Sequence, residues 1–169
     1  VAAVDQTVDE LGSLRRPPLG VMIETPAALF ALGEILELAD FVSIGTNDLT
    51  QYMLATDRDA ADLADECTPW HPTVLRAIKR VVDAAAAKNC PVCVCGEAAG
   101  EADFACLLVG LGVRELSMTP VRAASVRHAL RKLEGPTVHE LANQALCCVS
   151  PKEVRQQLTQ LRLPEKVRP

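Results

Sequence analysis

Four times between residues 19 and 133 a short β-rich apolar run ends in a polar turn and passes into a helical pattern. The runs are 19–23, 41–44, 91–95 and 114–118, and the helices that follow open near Thr25, Leu49, Glu101 and Thr119. A chain that keeps returning to strand through a helix builds a parallel sheet with its helices outside, an α/β fold. A closed (β/α)8 barrel takes about 250 residues, and 169 residues with four units supply half of one. The expected architecture is a partial barrel of four βα units followed by C-terminal helices. Such a half leaves two unpaired strand edges and an uncovered apolar face, so the other half is expected upstream or in a partner chain.

Other patterns frame these units. Val1, Val4, Val8 and Leu11 recur at helical spacing, predicting a helix over 1–15 stopped by Pro17 and Pro18. Thr25 and Pro26 supply a cap and a first-turn proline for a helix to about Leu38. Residues 45–48 read as a turn before a short helix, and Pro72 opens a long helix with Val74, Ile78, Val81 and Val82 on one side. Thr137 with Glu140, and Ser150 with Glu153, have capping-box spacing ahead of periodic helices. The expected division is therefore 1–133 for the half-barrel and 134–169 for a helical appendage.

Composition removes several classes of function. A net charge of −5, with no Lys/Arg run longer than two, lacks the footprint of nucleic-acid binding. No apolar stretch has the roughly 18 to 20 residues of a membrane span, and the N-terminus lacks a signal-peptide pattern. A cytoplasmic protein without membrane insertion is expected, in which seven cysteines are thiols and not a disulfide framework. A chain that begins at Val1 carries the expectation of a fragment or a processed product.

Chemistry is expected where strands end, because the loops after parallel strands converge on the ligand. Glu24 and Asp48 follow neighbouring strands, and two carboxylates so placed suit Mg2+, with phosphate oxygens and waters completing its shell. The alternative is a pair of helix-entry acids favoured by the helix dipole. Asn47, after Gly45 and Thr46, offers amide donors to a phosphate or carboxylate. Arg58 lies in an acidic loop, where its fork could hold phosphate; alone, it reads as a surface ion pair.

Cys95 closes the third strand and precedes Gly96 and Gly100, a turn open to close backbone approach. A neutral thiol there is a proton donor near pH 7 and its thiolate a nucleophile; a buried structural cysteine is the ordinary alternative. The other cysteines read as packing. Cys90, Cys93 and Cys95 do not make a zinc site, since a strand alternates faces and no second Cys/His pair stands at finger spacing. His71, His128 and His139 are scattered, without a partner suggesting a catalytic set.

Three stretches carry a resemblance: Gly20-Val-Met-Ile-Glu-Thr-Pro-Ala-Ala28, Ser43-Ile-Gly-Thr-Asn-Asp-Leu-Thr-Gln-Tyr52 with Asp57-Arg58, and Cys95-Gly-Glu-Ala-Ala-Gly100. In order and spacing they resemble the C-terminal phosphoenolpyruvate-binding barrel of Enzyme I, the phosphoenolpyruvate-protein phosphotransferase of the bacterial phosphotransferase system. The resemblance covers residues 19–133, more weakly the tail. It implies Glu24 and Asp48 as Mg2+ ligands, Asn47, Asp48 and Arg58 as contacts to phosphoenolpyruvate, and Cys95 as the acid that protonates the enolpyruvate carbon. It also implies an acceptor histidine on an N-terminal domain absent here, a phosphocarrier protein reached through that domain, and a homodimer formed by the C-terminal domain. Glu101 stands where the family commonly has Asp. Pyruvate phosphate dikinase and phosphoenolpyruvate synthase share related segments and are the enzymatic alternative. A non-catalytic dimerisation or regulatory module is the other.

Overall fold

The computed structural model describes residues 2–12, 16–56 and 66–160. Helix α1 (Ala2–Leu11) precedes β1 (Gly20–Ile23), α2 (Pro26–Phe30) and α3 (Leu32–Leu38). Then come β2 (Phe41–Gly45), α4 (Thr46–Leu54), α5 (Pro72–Ala87) and β3 (Val92–Cys95). A 3₁₀ turn (Glu97–Gly100) leads into α6 (Ala102–Gly110), β4 (Glu115–Leu116), α7 (Pro120–Leu130), α8 (Gly135–Cys147) and α9 (Pro151–Gln160). The strands form one sheet in the order β1-β2-β3-β4, and every pairing is parallel. This is the α/β arrangement of four barrel units in sequence order that the sequence predicts.

The register sorts side chains between two faces. Ile23, Ile44, Val94 and Leu116 stand in one row across the sheet. The first three are fully buried, and they share a core with Val74 and Ile78 of α5 and with Phe104, Leu107 and Leu108 of α6. Met22, Ser43, Cys93 and Glu115 make the neighbouring row, which faces the other way. No described helix covers that face: Met22 is 50% and Phe41 40% exposed. The core continues across residue 133, because Leu141 and Ala145 of α8 and Val154 and Leu158 of α9 belong to it.

Several boundaries differ from expectation. Helix α1 ends at Leu11, where Gly12 turns the chain at φ +61°, and so stops short of the prolines. The helix after Thr25 is two helices, broken at Ala31, which caps both. Thr25 does cap the first: its hydroxyl accepts from Ala28 N–H at 3.2 Å. Residues 46–48 are not a turn but the first turn of α4. Helix α8 starts at Gly135, with Pro136 in its first turn, so Thr137 lies inside the helix and caps nothing. The second capping box forms, with Ser150 Oγ accepting from Glu153 N–H at 3.3 Å and Glu153 Oε2 from Val149 N–H at 3.0 Å.

Candidate functional site

The candidate residues gather at the carboxyl end of the sheet, on the uncovered face. Glu24 leaves β1 beside the end of β2, and its carboxylate lies over Gly45, where a Cβ would overlap Glu24 Oε1. The bare Cα of Gly45 gives the carboxylate its room: a side chain there would displace it. The ladder partner of Gly45 is Cys95, so Glu24 and Cys95 flank the same bare backbone position.

The end of β3 is fastened to the start of α4. Thr46, fully buried, donates its hydroxyl to the Cys95 carbonyl at 2.9 Å, and Thr50 donates to the Thr46 carbonyl at 2.6 Å. Gly96 then turns at φ +110° directly against Thr46 Oγ1, with Asn47 Oδ1 3.3 Å from where its Cβ would be. A left-handed φ and a close neighbour both select glycine there. Asn47 is thereby brought to the Cys95–Gly96 junction. Asp48 occupies the next position of the same helical turn and is partly buried. The carboxylates of Glu24 and Asp48 accept no hydrogen bond and form no ion pair among the described residues. Helix α4 has Gly45 as its N-cap and no side-chain cap, which leaves its first N–H groups to other acceptors.

The Cys95 thiol is held by two contacts. Ser43 donates its hydroxyl to Cys95 Sγ at 3.4 Å, and Cys95 Sγ donates to the Ile44 carbonyl at 3.4 Å. Ser43 carries no chemistry that its sequence position alone reveals; the contact depends on how β2 and β3 align. Burial raises the Cys93 thiol above the usual range, helped by Cys95 and Glu115. Burial, then Asp103, pushes Cys106 up to about 12, which makes it an inert packing thiol. Cys148 is raised by burial and by Glu153, and Cys90 by burial and by Asp40. Cys147 is exposed, contrary to the expectation of packing.

Two of the three histidines have structural partners, and His128 is exposed on α7. His71 caps α5 by accepting from Thr73 N–H at 3.2 Å, and His139 Nδ1 lies 3.0 Å from the Gly110 carbonyl. Glu101 receives the Trp70 indole N–H at 3.3 Å, and Trp70 packs edge-on against Phe104 with ring centres 4.9 Å apart. Arg58 lies outside the described residues. No group of three or more His, Cys, Asp or Glu capable of holding a metal occurs among the described residues.

Fold and site together define a class of α/β protein: four parallel βα units of a partial barrel, with Glu24, Asn47 and Cys95 at the carboxyl end of the sheet. Residues 1–135 match the family model described as PEP-utilising enzyme, PEP-binding domain, and the chain belongs to that family. A multiphosphoryl transfer protein of Xanthomonas campestris is 48% identical over 138 residues, covering 82% of this chain and 16% of the relative. Two relatives are named phosphoenolpyruvate-protein phosphotransferase. One, from Cupriavidus necator, is 39% identical over 97% of this chain and 28% of its own; the other, from Haloferax volcanii, is 41% identical over 85% and 25%. The chain thus spans roughly a sixth to a quarter or slightly more of these relatives. The resemblance carried by the three motifs is borne out. Among solved structures, a citrate lyase from Burkholderia xenovorans superposes with a TM-score of 0.58, covering 95% of this chain and 57% of the other at 18% identity, which shows the fold alone. No helix among the described residues is long and apolar enough to cross a membrane.

Proposed function

We propose that this chain supplies one side of the substrate site of a phosphoenolpyruvate-protein phosphotransferase. The observation that carries the reading is the convergence of Glu24, Asn47 and Cys95 on the Gly45–Gly96 strand ends, inside a chain of the PEP-binding family. Phosphoenolpyruvate would give its phosphoryl group to a histidine on another domain.

Glu24 and Asp48 fit Mg2+: they are hard oxygen donors just past the ends of the adjacent strands β1 and β2, partly buried and without a cationic partner among the described residues. When bound, the ion would polarise substrate oxygens and offset their charge. Asn47 and the first N–H groups of α4 would orient the anion, and Arg58 would add charge at the phosphoryl group. As the bridging oxygen–phosphorus bond breaks, the electron pair left on the enolate is taken up by protonation at the methylene carbon. Cys95 would give that proton, and water would restore the thiol. A phosphocarrier protein and a homodimer complete the reading as partners.

In the full-length protein, Cys95→Ala is expected to lower pyruvate formation about 10²-fold or more while leaving the melting temperature within a few degrees. Wild-type turnover in that variant would remove Cys95 from the reaction.

A further inference from the structure

We propose that Ser43 is a positioning residue for Cys95, holding the thiol toward the open face and sheltering the thiolate left after its proton departs. The inference deepens the reading of Cys95 as the proton donor and rests on it. Its basis is the geometry around one sulfur atom. Cys95 Sγ accepts from the Ser43 hydroxyl and donates to the Ile44 carbonyl, each at 3.4 Å. An accepted and a donated bond from adjacent residues of β2 fix both the rotamer of the side chain and the direction of its proton.

The register explains why Ser43, and not the residue opposite, makes the contact. Cys95 stands across from Gly45, which has no side chain to offer. Ser43, two residues earlier on the same face, is the nearest β2 side chain able to reach diagonally. Its ladder partner Cys93 also faces the Ser43 hydroxyl, which acts to lower a Cys93 thiol that burial on balance raises; the Cys93 hydrogen goes to the Val94 carbonyl at 3.7 Å, while the hydroxyl lies 3.4 Å from Cys95 Sγ.

The two contacts play opposite parts when the proton moves. The S–H bond breaks, a C–H bond forms on the substrate carbon, and the electron pair stays on sulfur. The Ile44 carbonyl then faces a thiolate that can no longer donate to it, a repulsive pairing. The Ser43 hydroxyl faces a charged acceptor, for which its bond is roughly twice as strong as before. Ser43 therefore stabilises the product of proton donation, and Ile44 favours its reversal by water. Nothing else among the described residues donates to that sulfur.

The test uses the full-length protein with Ser43→Ala and Ser43→Thr. The first readout is the rate at which iodoacetamide alkylates Cys95 at fixed pH, followed by the mass of the peptide that carries it. Without the Ser43 hydroxyl the sulfur loses its hydrogen-bond donor and its fixed rotamer, so alkylation slows about threefold in Ser43→Ala. Ser43→Thr retains the hydroxyl and is expected to return most of that rate. The second readout is steady-state kinetics: kcat for pyruvate formation falls in Ser43→Ala, with KM for phosphoenolpyruvate nearly unchanged, and recovers in Ser43→Thr. Wild-type alkylation of Cys95 in Ser43→Ala overturns the proposal, as does equal slowing in both variants. If instead Cys95→Ala turns over normally, the reading of Cys95 as acid fails, whereas the alkylation rates still report on the Ser43 contact.

Discussion

The two faces of one four-stranded sheet obey different rules. On the helix-covered face, Ile23, Ile44 and Val94 are fully buried, and Phe104, Leu107 and Leu108 of α6 close over the sheet. On the other face, the neighbouring rows contain Met22, Ser43, Cys93 and Glu115, then Gly45 and Cys95. The first face is built from volume, where interchangeable apolar residues serve if they fill space. The second is built from particular atoms, including a missing Cβ at Gly45 that admits a carboxylate and a hydroxyl aimed at a sulfur. Stability resides on one side of the sheet, and the recognition we propose lies on the other.

The largest expected effect breaks the covered face. Phe104→Ala removes a fully buried ring that packs on Trp70 and should cost about 3–5 kcal/mol in urea unfolding. A loss under 1 kcal/mol would mean that the helix layer is not the seat of stability.

On the open face, Gly45→Ala should spare the fold and injure the site. The new methyl group would displace the Glu24 carboxylate, which is partly exposed and free to move away. The Mg2+ concentration needed for half-maximal activity is expected to rise about 10- to 100-fold, the range seen when the support of a metal ligand is lost. An unchanged Mg2+ requirement would separate Glu24 from the metal.

A smaller effect comes from pH. Cys106, at about 12, and the raised Cys90, Cys93 and Cys148 keep their protons in the fold at pH values where solvated thiols ionise. Above pH 9.0 the unfolded chain therefore binds fewer protons than the folded one, and stability falls as pH rises. Cys106 alone contributes a slope approaching about 1.4 kcal/mol per pH unit between 9.0 and about 12. Cys106→Ala should flatten the decline in melting temperature over that range; an unaltered slope would assign the decline elsewhere.

The smallest effect lies outside both faces. Ser150→Ala removes the hydroxyl that caps α9 and should cost about 1 kcal/mol, read by the same unfolding assay, with activity unchanged.

The sequence made the covered face legible because burial in a parallel sheet leaves a periodic mark. The runs at 19–23, 91–95 and 114–118 each contain their strand, the run at 41–44 falls one residue short of β2, and Thr25 and Ser150 cap helices as their spacing indicates. Local chemistry misled in three places. Ala31 breaks a helix that periodicity joins, Thr46 begins a helix where residues 45–48 suggest a turn, and Thr137 is overtaken by a helix already begun at Gly135. Each depends on where neighbouring elements pack, which short-range patterns do not encode.

By itself the sequence determined four βα units and the residue types set at their strand ends: Glu24, Asn47, Asp48 and Cys95. Hydrophobic period and local capping act within a few residues and are therefore written along the chain. Only the tertiary structure decided that Glu24 lies over Gly45, that Thr46 fastens the end of β3, and that Ser43 reaches Cys95 across 52 residues of chain. Those contacts follow from the parallel register of β2 and β3, a property of two strands aligned in space and of neither strand alone.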